Sequence, residues 1–155
     1  MKDVAMKIAI PLFLLLAAGN SHAQESWNFL NVGFKFSHTV GEGGGFTPGI
    51  EVSYTMLGKQ FGGGILFSAD VCNGRSKVHI GVEGLAGGAG VSIGPTWINA
   101  SGNTAAGYTL TFFGGLLAYP YYSYTSAPQL SPYHEVGLFL KFPVAMAGRR
   151  FSLGG

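Results

Sequence analysis

The residues of this chain that could do chemistry are few and scattered. Three of its four histidines, His38, His79 and His134, fall near the outer ends of predicted strands. A serine activated by histidine, with an acid behind the histidine, would hydrolyse acyl esters. Ser37 directly precedes His38, but consecutive residues of a strand point to opposite faces, so the two cannot form that pair. Gly41-Glu42-Gly43-Gly44-Gly45 lacks the Lys-Ser/Thr and the following helix of a phosphate loop, and reads as a flexible link. His, Cys, Asp and Glu nowhere cluster at metal-ligand spacing. Cys72 is the single cysteine, which excludes an intramolecular disulfide. It sits beside the Asn73-Gly74 hairpin signal and reads as a loop thiol. The expectation is no catalytic residue, no metal and no cofactor.

The charged residues point elsewhere. They make up 10% of the chain, against roughly 25% in ordinary globular proteins. The net charge is close to zero, and no basic patch suggests nucleic-acid binding. Lys35, Glu51, His79, Glu83, Glu135 and Lys141 all fall on the same side of an alternation, opposite the large apolar residues. They are candidates for one internal charge network, with Lys35 bracketed by Glu51 and Glu135.

The elements that must position them are strands. Leu30-Asn31-Val32-Gly33-Phe34-Lys35-Phe36-Ser37 alternates with period two, as does Gly49 to Met56. Eight strands are predicted, at Asn28–His38, Thr47–Met56, Gln60–Asp70, Ser76–Ala86, Ala89–Ile98, Ala105–Phe113, Leu116–Tyr124 and Tyr133–Phe142. Most have nine to eleven residues, the length of a tilted transmembrane strand. The odd-numbered links between them read as longer than the even-numbered ones, a rhythm of up-and-down membrane barrels. Pro95 and Pro120 fall inside proposed strands, where a missing N–H requires a bulge or a different boundary.

A sheet of this kind can roll two ways. With apolar residues inward it is a soluble barrel of the lipocalin kind, with far too little charge outside. With apolar residues outward it spans a bilayer, and the small polar residues fill the lumen. The second arrangement accounts for the composition and the alternation together. Trp27, Trp97, Tyr119, Tyr121, Tyr122 and Tyr124 are then expected in an aromatic girdle at the membrane interface.

Residues 1–23 read as a secretory signal peptide. Lys2 and Lys7 precede an apolar run from Ile8 to Ala18, and Ser21-His22-Ala23 is a cleavage site. Residues 24–142 would be the barrel and 143–155 a C-terminal tail.

In length and layout, from about Trp27 to Phe142, the chain resembles the small eight-stranded outer-membrane proteins of Gram-negative bacteria. The membrane domain of outer-membrane protein A is one of them. The resemblance is one of pattern, carried by the Leu30–Phe36 and Val136–Phe142 alternations. It implies an all-β, antiparallel, up-and-down transmembrane β-barrel in the outer membrane, with the lipid bilayer and the barrel-assembly machinery as partners. It also implies a terminal aromatic residue on the last strand, a place Phe142 would take, although Pro143 to Gly155 follows. Some such barrels hydrolyse lipids through a His-x-Ser-Asn arrangement that this chain lacks. The function expected is structural, adhesive or environment-facing, without catalysis. The alternatives are a secreted lipocalin-like carrier of an apolar ligand and a lipid-modifying enzyme built on His38 or His134.

Overall fold

A computed structural model of the chain describes residues 27–41, 43–115, 118–128 and 130–145. The signal-peptide segment, Glu42, and the part of the expected tail beyond Ala145 lie outside them. The described chain is eight strands: β1 (Trp27–Val40), β2 (Gly45–Leu57), β3 (Phe61–Cys72), β4 (Arg75–Ala86), β5 (Ala89–Ala100), β6 (Asn103–Gly114), β7 (Ala118–Ala127) and β8 (Leu130–Ala145). Each pairs antiparallel with its neighbours, and β1 closes on β8. The paired residues can be followed once round the barrel. From Phe29 they run through Thr55, Gly64, Glu83, Ser92, Thr111, Ser123 and Glu135, and return to β1 at Thr39. The ladder thus re-enters its first strand ten residues further along. That offset is the stagger that closing a tilted sheet requires.

Alternation decides the faces. Phe34, Phe36, Ile50, Ile65, Phe67, Ile80, Val136 and Phe142 are exposed on the outside. Thr, Ser, Lys and the carboxylates between them are buried inside. Apolar residues therefore face outward, the reverse of a lipocalin-like roll. The lumen also holds two small apolar groups. One is Ile98, Ala105, Ala127 and Tyr133, and the other is Phe113, Tyr121 and Phe139.

The expected long–short rhythm of links is absent. The β1–β2 link is residues 41–44, and the other odd-numbered links are 73–74, 101–102 and 128–129. The even-numbered links are 58–60, 87–88 and 115–117. Polar runs such as Asn99–Thr104 look like loops, but a ladder satisfies their backbone groups, so the strands continue to minimal turns. Asn73 and Gly74 (φ 43° and 76°), Gly87 and Gly88 (57° and 86°), and Ser101 and Gly102 (53° and 83°) each carry two positive φ angles in a row. That is the signature of type I′ hairpins, whose twist matches the strands.

Pro95 is accommodated without a bulge. The β4–β5 pairing stops at His79↔Thr96 and resumes in the same register at Val82↔Ile93. Pro120 pairs with Leu138 on β8 and lies beyond the last β6–β7 pair, Phe113↔Tyr121. Among the described residues the one register shift is between Thr125 and Ala127 on β7, opposite an extra residue of β8 beside Pro132. β8 continues past Phe142 to Ala145, so Phe142 does not end the last strand.

Candidate functional site

The lumen is the only place where several charged side chains meet among the described residues. They form two clusters. In the first, Lys35 Nζ lies 2.8 Å from Asp70 Oδ2, and Lys77 Nζ lies 3.2 Å from the same oxygen. Lys77 also pairs with Glu135. The Thr39 and Thr47 hydroxyls lie 2.6 Å apart, and Thr39 donates to Glu135 at 3.5 Å. Lys35 Nζ also sits over the rings of Phe139 (5.3 Å) and Tyr121 (5.4 Å). Two ammonium groups meet two carboxylates, so the cluster is balanced, as buried charge must be.

In the second cluster Lys141 Nζ lies 2.7 Å from Glu51 Oε1 and 3.4 Å from Glu83 Oε2. Thr55 donates to Glu83 Oε1 at 2.5 Å, and Asn31 Nδ2 donates to Thr55 at 3.0 Å and Ser53 at 3.3 Å. Lys141 Nζ also faces the Phe113 ring at 4.9 Å and the Phe139 ring at 5.2 Å. Here one ammonium group meets two carboxylates.

Three of these contacts reach over a strand, and each crosses a glycine. Lys35 is opposite Gly49, and Gly49 is opposite Asp70. Lys141 is opposite Gly33, and Gly33 is opposite Glu51. Thr55 is opposite Gly64, and Gly64 is opposite Glu83. A Cβ on Gly49 would come 2.9 Å from the Asp70 Cγ atom, and one on Gly64 would come 3.1 Å from Glu83 Oε1. The missing side chains are the space in which the charges meet.

This corrects the expected bracketing of Lys35. Its carboxylate is Asp70, while Glu51 pairs with Lys141 and Glu135 with Lys77. Asp70 and Lys77 were absent from the candidate network. The signal for them was available, because Asp70 alternates with Ser68 and Lys77 with His79 on the inner face.

His79 lies well inside β4, away from the strand end where it was expected. It is buried, with Nδ1 at 3.0 Å from Thr96 Oγ1 and 3.1 Å from the Pro95 carbonyl. Thr96 donates to Thr109 at 2.7 Å, and Thr109 meets Thr125 at 2.9 Å, a polar chain from β4 to β7. His38 is exposed on the outer face and Ser37 is buried inside. His134 Nδ1 lies 2.6 Å from the Tyr122 hydroxyl. Among the described residues no histidine is hydrogen-bonded to a serine or a carboxylate. Cys72 ends β3 and is buried in the lumen, 4.0 Å from the Gly43 carbonyl, so it is not a loop thiol.

The aromatic group divides. Trp27, at the start of β1, and Trp97, near the end of β5, are exposed at opposite ends of the barrel, and Tyr122 and Tyr124 lie on the outer face. Tyr121 does not belong to a girdle. It is 4% exposed and stacked on Phe139 with centroids 4.4 Å apart. Tyr119 also faces inward, edge-on to Phe113 at 6.2 Å. β7 begins at Ala118, and from there strict alternation turns the odd-numbered tyrosines into the lumen.

A cavity of about 370 Å³ opens at the barrel end made by the even-numbered links. Phe29, Leu57, Leu85, Phe113 and Tyr119 line it, together with Asn31, Thr55, Glu83 and Lys141. At the opposite end the free space is only about 20 Å³.

No protein-family model matches the chain, and no curated protein matches it. Among solved structures it is similar to Neisserial surface protein A (NspA), at 9% identity and a TM-score of 0.45. The likeness covers 76% of this chain and 98% of that one.

Proposed function

We propose that this chain is an integral outer-membrane β-barrel with a structural, adhesive or environment-facing role and no catalytic activity. One observation carries the membrane reading. Among the described strand residues, no Asp, Glu, Lys or Arg sits on the outer face. Every charged side chain of the strands points to the inside, while the outer face is made largely of Phe, Ile, Val, Leu and Trp. In water that arrangement would leave a continuous apolar belt exposed, far beyond the patches soluble monomers tolerate. In a bilayer the belt is matched to the acyl chains, and closure satisfies every strand edge. The expected signal peptide supports export to that membrane. The non-catalytic reading rests on the separation of Ser37 from His38 and on the hydroxyl partners of His79 and His134.

Cell fractionation joined to gel mobility with and without boiling tests this. The folded barrel is expected in the outer-membrane fraction, with a mobility that changes on heating. A native protein soluble without detergent would overturn the reading.

A further inference from the structure

We propose that the cavity at the even-link end of the lumen binds a small organic cation with an apolar body. The two ion clusters differ in one respect that matters there. The cluster of Lys35, Lys77, Asp70 and Glu135 balances its charges, and the free space beside it holds no more than a water. The cluster of Lys141, Glu51 and Glu83 has one carboxylate more than it has ammonium groups, with all three side chains buried. It borders the large cavity, which Glu83 and Lys141 line directly. A buried carboxylate without its own cation is costly, and a positive group placed in the cavity removes that cost.

The walls suit the same ligand. Phe29, Phe113 and Tyr119 offer aromatic surface, which attracts cations, and Leu57 and Leu85 offer aliphatic surface. The volume lies within the range of roughly 300–1,000 Å³ typical of small-molecule sites. Lys59 also borders the cavity, but it is exposed on the β2–β3 link and forms no ion pair with Glu51 or Glu83. An anionic ligand would add to the excess negative charge, and a neutral one would leave it in place.

The test uses the full chain folded in a maltoside detergent, whose uncharged head group does not compete. Phenethylammonium, phenethyl alcohol and hydrocinnamate are titrated in parallel and followed by NMR. Saturable binding of the ammonium probe is expected, about tenfold or more tighter than the alcohol, and hydrocinnamate is expected not to bind. In Glu83→Gln the preference for ammonium over alcohol should shrink to about twofold or less. Leu85→Trp, which fills the cavity from its apolar wall, should abolish binding of both. Equal binding of ammonium and alcohol to the unaltered protein, or a preference that survives Glu83→Gln, would overturn the proposal.

Discussion

Lys35 and Asp70 meet in the lumen at 2.8 Å although a whole strand separates them, because the residue between them, Gly49, has no side chain. Lys77 shares the same Asp70 oxygen and holds Glu135 as well. Removing Asp70 therefore strands Lys35 and leaves two buried ammonium groups to one carboxylate. Asp70→Ala is expected to cost about 3–5 kcal/mol, the usual effect of breaking a buried pair. Lys35→Met/Asp70→Leu removes one charge of each sign and leaves Lys77 with Glu135. It should recover most of that loss. Urea unfolding in phospholipid vesicles, read by tryptophan fluorescence, measures both. A single Asp70→Ala variant as stable as the parent would show that the pairing does not hold the barrel together.

The glycine spacers make a second, graded prediction. A Cβ on Gly49 would be driven into the Asp70 carboxylate, with the Ala69 carbonyl oxygen 2.8 Å away. A Cβ on Gly33 meets its nearest atom, the Leu140 carbonyl oxygen, only at 3.3 Å. Gly49→Ala should destabilise by about 1–3 kcal/mol, the range for overpacking a filled interior. Gly33→Ala should cost clearly less. The order of the two urea midpoints decides the point, and a reversed order would mean that the spacers do not set the ion-pair geometry.

These spacers also explain what could and could not be read from the residues alone. Except on β7, the strands and their faces follow from alternation, since a side chain's face depends only on whether its number is odd or even along its strand. The ion pairing does not follow from that. Glu51 and Glu135 are on the strands flanking Lys35, so proximity along the sheet favours them. The stagger of the closed barrel sets Lys35 opposite Gly49 and sets Glu51 two residues along, opposite Gly33. Register of that kind depends on where the turns form. Ser101-Gly102 turns where a six-residue loop was expected, and this ambiguity erased the predicted difference between the barrel's ends. Tyr119 and Tyr121 were misplaced for a related reason. A run of tyrosines hides the alternation until one strand boundary is known.

The hydroxyl chain from His79 through Thr96 and Thr109 to Thr125 predicts an effect of shape-conserving substitution. Thr109 is fully buried and touches a hydroxyl on each side, at 2.7 and 2.9 Å. Thr109→Val keeps the volume and leaves Thr96 and Thr125 short of a partner. The expected loss is about 1–3 kcal/mol, the penalty for stranding buried polar groups. Thr104→Val, at an exposed position, should be near neutral. Equal stability of the two variants would indicate that water replaces the Thr109 hydroxyl inside the lumen.

The outward belt gives the prediction that separates lipid from water as the surrounding medium. Ile80 lies in the body of β4 and is 47% exposed, while Val71 lies one residue from the end of β3 and is 57% exposed. A lysine at either position would be harmless on a soluble barrel, and would make its surface more ordinary. In a bilayer the cost depends on depth. Ile80→Lys should destabilise by about 2–4 kcal/mol, and Val71→Lys by about 0–1 kcal/mol, because a side chain near the interface reaches the head groups. Folding both variants into phospholipid vesicles and comparing their urea midpoints with those in detergent gives the profile. The decisive quantity is the difference between the two sites in lipid. If it vanishes, the apolar belt does not lie in the hydrocarbon layer, and another partner must cover it.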